Sequence, residues 1–215
     1  YGAQLRVTRL RPSGQQGLLA VNIDTFARYQ LEGAWSWEHM ALTRARVVYG
    51  ADEDRAAVSA GIAAALMKPR DTERFKAEVL EMRGDMVKVH RDGGLWDVKH
   101  AAGGLIDLEF IVHFLQLSRH EGFDPDLGAA TAHFAAAGAL PEDVPGAHDL
   151  MTRLLVVLRL IEGDEPPKQP AAAKAMMAAA TGFADFDALK AALEDAKRAV
   201  LAAWEAVFEV KRKAR

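Results

Sequence analysis

The 215-residue chain has no cysteine, few prolines (eight) and tyrosines (three), no surplus of positive charge, and no apolar run near the length of a membrane span. Each absence removes a class. Without thiols, structural disulfides and thiolate metal sites are excluded, and a reducing, cytoplasmic setting is compatible. A formal net charge of -3 argues against a broadly basic nucleic-acid face. No charged-then-apolar leader opens the sequence, and nothing in it calls for a membrane. The seven histidines are scattered without an HxxxH or HExxH spacing, so no metal set is expected. Walker A, GxSxG and dinucleotide fingerprints are missing as well.

What the chain has in excess is alanine, 41 residues of it. Alanine is the best helix former, so the composition predicts a mainly α body. Tyr1 stands where an initiator Met would be, inside a patterned, charged segment. The chain therefore reads as part of something longer.

The first fifty residues differ from the rest. Loose alternation on either side of Pro12-Ser13-Gly14 predicts two short extended pieces, and Trp96–Lys99 gives one more strand signal. Beyond Asn22 the period becomes helical. Asp24 is expected to cap a short helix through Phe26 and Tyr29, and 34–46 to form a second. Residues 52–67 read as an Ala-rich helix stopped by Lys68-Pro69. Asp71 is expected to cap a long helix that turns Phe75, Val79, Met82 and Met86 inward. Further helices are expected from Gly104 to about His120, on either side of 138–146, and after residue 170. Leu189, Leu193, Val200, Trp204 and Phe208 mark the buried side of the last. Residues 163–170 hold three of the eight prolines and read as a linker.

Three constellations carry chemistry. Arg9 and Arg11, two apart on a predicted strand, share a face and suit a phosphate or carboxylate, with Ser13 and Gly14 turning beside them. A solvated edge strand protected by Arg explains the same residues, and spacing alone favours it. Lys99 precedes Gly103-Gly104 at the mouth of a helix, where free N–H groups and the helix dipole attract an anion. Asp107 in the first turn suits that dipole, and could equally hold Lys99 or an arginine. Glu109 projects from another side, so the two carboxylates make no natural metal pair. Taken alone, this block is most simply a turn and a capping carboxylate that seat the helix. Third, Trp35, Trp37 and His39 either form a stacking wall for a purine or anchor the core, the commoner arrangement. Arg44 and Arg46 lie on the same predicted helix. The basic tail 211–215 reads as a frayed end.

Taken together, these motifs resemble glutamine synthetase adenylyltransferase. The resemblance rests on Arg9-Leu-Arg-Pro-Ser-Gly14, Gly17-Leu-Leu, Phe26-Ala-Arg-Tyr-Gln30 and the run from Ala34 to Gly50 that contains AWSWEH. It continues through Glu81-Met-Arg83 and Lys99-xxx-Gly103-Gly104-xx-Asp107-xx-Phe110. It is specific over about residues 9–120, weaker over 121–161 and architectural beyond. The Pro-Ser-Gly turn and AWxWEH resemble the C-terminal, adenylylating half of that two-halved enzyme.

The resemblance implies transfer of AMP from ATP to a tyrosine hydroxyl of glutamine synthetase, with Mg2+, under control of the PII signalling protein and glutamine. It implies a remnant of an α/β nucleotidyltransferase palm over 1–50 and a helical domain over 51–162. The 163–170 linker and an Ala-rich helical segment over 171–215 follow. Candidate nucleotide-contacting residues are Arg9, Arg11, Ser13, Lys99, Gly103 and Gly104, with Asp107 and Glu38 behind them. The family's metal-binding Asp-x-Asp is missing from this sequence, and Val7 stands where a third carboxylate is expected. No catalytic carboxylate is therefore assigned: either Val7 replaces the residue, or residues 1–8 are an earlier segment joined to Arg9 across omitted chain, the preferred reading because the pattern holds from Arg9 onward. A chain lacking these groups is expected to be inactive alone. The alternative is a non-catalytic module that binds PII or glutamine synthetase. A uridylyltransferase relative acting on PII is a third reading, against which AWxWEH speaks.

Overall fold

A computed structural model describes residues 22–90, 93–161 and 166–210. Among these residues the protein is mainly α, with nine α-helices, one short 3-10 turn and no strand. The expected palm strands before Asn22 lie outside the described residues.

The helices are α1 (Ile23–Glu32), α2 (Ser36–Leu42), α3 (Asp52–Leu66), α4 (Thr72–Val89), α5 (Leu105–Arg119), α6 (Leu127–Ala136), α7 (Val144–Leu160), α8 (Ala171–Thr181) and α9 (Phe186–Phe208). Asp71, Asp126 and Asp185 cap α4, α6 and α9 by accepting from the backbone N–H three residues on. The α1 cap is Asn22, whose Oδ1 accepts from Thr25 N at 2.8 Å, and Asp24 lies within the first turn. The second predicted helix is shorter than its pattern. It stops at Leu42, and at its C-cap the Thr43 hydroxyl donates back to Met40 O at 2.7 Å.

Trp96–Lys99 is a turn, correcting the strand expected there. Asp97 Oδ1 accepts from the backbone N–H groups of Lys99 and His100, and Val98 N–H closes onto Trp96 O. An Asp side chain thus supplies locally the bonds that a neighbouring strand would otherwise give.

α5 is the central helix, with 12 of its 15 residues buried, and α2, α4, α6, α7 and α9 surround it. One aromatic chain crosses the core. Phe75 of α4 stacks on Phe114 of α5 at 5.4 Å, and Phe114 meets Phe208 of α9 at 5.0 Å. Trp204 closes on Phe208 at 4.4 Å. The helices that follow residue 170 therefore share the core with those before it. Leu189, Leu193, Val200, Trp204 and Phe208 are all buried, as the periodicity predicts. α3 is the exception: its Ala-rich surface is mostly exposed, with only Ala65 and Leu66 buried.

Candidate functional site

The turn preceding α5 is held by a buried ion pair and several backbone bonds. Arg83 of α4 and Asp107 of α5 are both buried, with Nε donating to Oδ1 at 2.7 Å. Arg83 Nη2 also donates to His100 O at 2.8 Å, and Asp107 Oδ2 accepts from Gly103 N–H at 2.7 Å. One ion pair therefore ties α4, α5 and the intervening turn together. Its charge-assisted hydrogen bonds satisfy both partners away from water.

Gly103 and Gly104 make close approach possible, but to protein rather than to an open ligand site. At Gly103, where φ is +75°, a Cβ would lie 2.5 Å from Lys197 O of α9. At Gly104 it would meet three backbone oxygens of the turn at 2.8 to 3.0 Å. The first amides of α5 are also engaged, Leu105 N–H with Val98 O at 2.8 Å and Ile106 N–H with Lys99 O at 3.1 Å. These are donors that a phosphate at the helix N-terminus would use. The geometry makes Gly103, Gly104 and Asp107 parts of a locked turn, the simpler of the two arrangements the spacing allows. Lys99 is half-buried, and its ammonium forms no hydrogen bond or ion pair with a described residue. Asp107 pairs with Arg83 rather than Lys99, and Glu109 turns away toward Arg44 at 3.8 Å.

Sequence reasoning missed the residue that closes this turn from the far side. Lys197 of α9 is buried, and its Nζ donates to Gly94 O and Asp97 O, both at 3.0 Å. The signal was there: Leu193, Lys197, Val200 and Trp204 form one helical stripe, so a cation sits on an otherwise apolar face.

The AWSWEH run builds a second buried polar node. Glu38 accepts from Tyr29 Oη at 2.8 Å and from Trp35 N–H at 2.9 Å, so it holds α1 to the start of α2. His39 Nδ1 faces Arg70 Nη2 at 3.0 Å, a donor only, so Nε2 carries the proton and donates to Gln30 O at 2.8 Å. Burial and the neighbouring Arg70 and Lys68 charges lower the His39 pKa, partly opposed by the Gln30 bond. Arg70 also donates to the carbonyls of Ala65, Leu66 and Lys68. It caps the end of α3, another role that motif reading did not assign. His39 is thus a satisfied core histidine. Trp35, by contrast, is 68% exposed. It stands on a cleft of about 600 Å³ shared with Trp37 and the acidic face of α4.

Arg9, Arg11, Ser13 and Gly14 lie outside the described residues, as does the position of Val7. The structure therefore brings together Lys99, Gly103, Gly104 and Asp107, and sets Glu38 in a separate node. No three His, Asp or Glu side chains among the described residues converge as metal ligands. No helix among them is long and apolar enough to cross a membrane.

These features define an all-helical module whose central helix is entered through a locked turn and whose second node is organised by AWSWEH. Comparison with known proteins finds one family model over the AWSWEH block and similar proteins over both. Residues 5–60 match the model of the family described as glutamate-ammonia ligase adenylyltransferase. Over 211 residues, 94% of this chain, it is 38% identical to the bifunctional glutamine synthetase adenylyltransferase/adenylyl-removing enzyme of Xanthobacter autotrophicus. It is 37% identical over 212 residues to the protein of that name from a Bradyrhizobium. With the protein of that name from Rhodopseudomonas palustris strain HaA2 it shares 47% identity over 119 residues, 55% of this chain and 12% of the relative. The chain is thus related to glutamine synthetase adenylyltransferases over nearly its whole length. It spans 21% of the length of the Xanthobacter and Bradyrhizobium relatives.

Proposed function

We propose that the chain is the later part of the adenylylating half of a glutamine synthetase adenylyltransferase. The reaction moves AMP from ATP to a tyrosine hydroxyl of glutamine synthetase, in the cytoplasm, and so regulates nitrogen assimilation. The observation that carries this reading is the 38% identity sustained over 94% of the chain. The AWSWEH run and the Pro-Ser-Gly turn support the adenylylating half over the adenylyl-removing one. PII signalling protein is proposed as the regulatory partner.

Within that reaction the residues divide by task. Arg9 and Arg11, with Ser13 shaping the turn beside them, are proposed to grip the triphosphate through bidentate guanidinium bonds. Lys99 is the cation that the helical part offers from the facing side. Gly103, Gly104 and Asp107 hold Lys99 in place through the turn, since their own donors and acceptors are engaged within the protein. Glu38 orders the start of α2. Mg2+ finds no seat among the described residues, because no ligand set converges there and Asp107 is committed to Arg83 and Gly103. No step is assigned through it.

The same engagement of the α5 amides favours a second reading for residues 22–210. They act as a scaffold and interaction module for PII or glutamine synthetase, with catalysis residing elsewhere in the enzyme.

Substitution of Lys99 in the full-length gene product separates the two. Lys99→Ala is expected to cut AMP incorporation from ATP by about tenfold or more with an unchanged melting temperature. Activity within a few-fold of wild type would remove Lys99 from the site and leave the scaffold reading. Incorporation from UTP into PII instead of from ATP into glutamine synthetase would overturn the reaction itself.

A further inference from the structure

We propose that the stacked imidazoles of His90 and His100 are a proton-operated latch, which holds the turn before α5 against the end of α4 and opens when both rings are charged. This does not rest on the AMP-transfer reading.

His90 is the residue at which α4 ends, and its backbone N–H still donates to Met86 O at 3.1 Å. Its ring lies over that of His100, with centroids 4.3 Å apart and planes 21° from parallel. His100 belongs to the turn. Its N–H donates to Asp97 Oδ1 at 2.9 Å, and its carbonyl accepts from Arg83 Nη2 at 2.8 Å. Each backbone is therefore held from its own side, and the rings bridge the gap between them. Arg83 fastens the turn about two helical turns before the end of α4, and the ring pair fastens it at the end itself.

Neutral imidazoles stack, whereas two imidazoliums in the same place repel. The surroundings do not offset a second charge. Arg83 of α4, Lys99 of the turn and Lys197 of α9, which donates to Gly94 O and Asp97 O, are the cations around the pair. Lys88, in the last turn of α4, is paired with Asp85. Asp107 is committed to Arg83 and to Gly103 N–H. Asp97 Oδ1 stands 3.6 Å from His100 Nδ1 but already accepts from two backbone amides. Burial lowers the His100 pKa from 6.5. Asp97 opposes that shift, and the His90 and Lys99 charges add to it. The latch is therefore closed at neutral pH and is lost as the pH falls below 6.5. Lys99 directly precedes His100, so the state of the latch governs how firmly this half-buried lysine is held.

Amide hydrogen exchange in the complete chain at about pH 7.5 and about pH 5.5, corrected for the intrinsic pH dependence of exchange, tests the latch. The amides of Asp97, Val98, Lys99 and His100 are bonded within the turn and report on it. Their protection is expected to fall about fivefold or more at the lower pH while α6 keeps its own. His90 is exposed, so a substitution there spares the core. His90→Phe keeps a ring that cannot be charged and is expected to abolish the fall. His90→Ala removes the stack and is expected to lower protection at both pH values. Equal protection of the wild-type turn at both values would overturn the proposal. A fall that persists in His90→Phe would overturn it too, assigning the effect to Asp97 or to His100 alone. A fall shared by α6 would do the same, assigning it to the whole fold through the buried His113.

Discussion

Arg83 and Asp107 meet at 2.7 Å with both side chains buried, twenty-four residues apart, on the two helices that flank the turn carrying Lys99. Breaking the pair leaves one charge without compensation inside the core. Arg83→Met or Asp107→Leu alone is therefore expected to cost about 3–5 kcal/mol in urea unfolding. The double variant should cost clearly less than the sum, because it leaves no orphaned charge. Additive losses would show that the two residues are not energetically coupled.

Glycine substitutions separate steric closeness from backbone conformation. Gly103→Ala meets Lys197 O at 2.5 Å and must also hold a φ of +75°, whereas Gly138→Ala has a φ of +70° in open space. We expect Gly103→Ala to destabilise by roughly 2–4 kcal/mol and Gly138→Ala by about 1–2 kcal/mol. Gly84, inside α4 with no neighbour within 4 Å, should stabilise by about 0.5–1 kcal/mol on change to Ala. Thermal unfolding of the three variants checks the ranking.

Removing the ammonium of Lys197 should loosen the turn from the far side. Lys197→Met leaves the carbonyls of Gly94 and Asp97 without that donor, at an expected cost of about 1.5–3 kcal/mol. Amide hydrogen exchange should rise across 94–104 while α6 stays protected. Uniform loss of protection would mean that Lys197 supports the fold globally rather than this turn.

His113 makes stability depend on pH. Its Nδ1 faces Thr43 Oγ1 at 2.9 Å and Gln116 Oε1 at 3.0 Å, both placed as acceptors, so Nδ1 carries the proton. Nε2 is buried with no partner among the described residues. Burial, with Arg44 nearby, pulls the pKa from 6.5 down to about 4, against the opposing effect of Gln116. In this range the unfolded chain binds the proton more readily than the folded one, so stability rises with pH. The contribution is complete above 6.5, falls as the pH drops toward 4, and is lost below it. Its full size is on the order of 3 kcal/mol. His113→Asn, which keeps a donor toward Thr43, should flatten that slope when unfolding is measured between those limits.

The sequence by itself determined the helical character, most helix limits and the resemblance to glutamine synthetase adenylyltransferases. Apolar periodicity is a local signal that sufficed for α4, α5 and α9, helped at α4 by the capping Asp71. The motif blocks from Arg9 to Phe110 were enough to point to glutamine synthetase adenylyltransferases, a relationship that the comparisons show. Local signals failed where a side chain replaced a backbone partner. Trp96–Lys99 alternates like a strand, yet the Asp97 carboxylate takes up its amides and makes a turn. Ala34–Arg46 has a longer helical pattern than the chain uses, since α2 covers only Ser36–Leu42.

Only the tertiary structure decided what the glycines and the Asp107 carboxylate do. A Gly-Gly before a helix has the same spacing whether it faces a phosphate or the backbone of another helix. That choice depends on α9, whose Lys197 and its carbonyl approach from nearly a hundred residues away. Asp107 likewise had several possible partners until folding brought Arg83 to it and excluded water from the pair. Spacing along a chain states which groups can share a face. Burial and the approach of distant elements decide which of them remain available to a ligand.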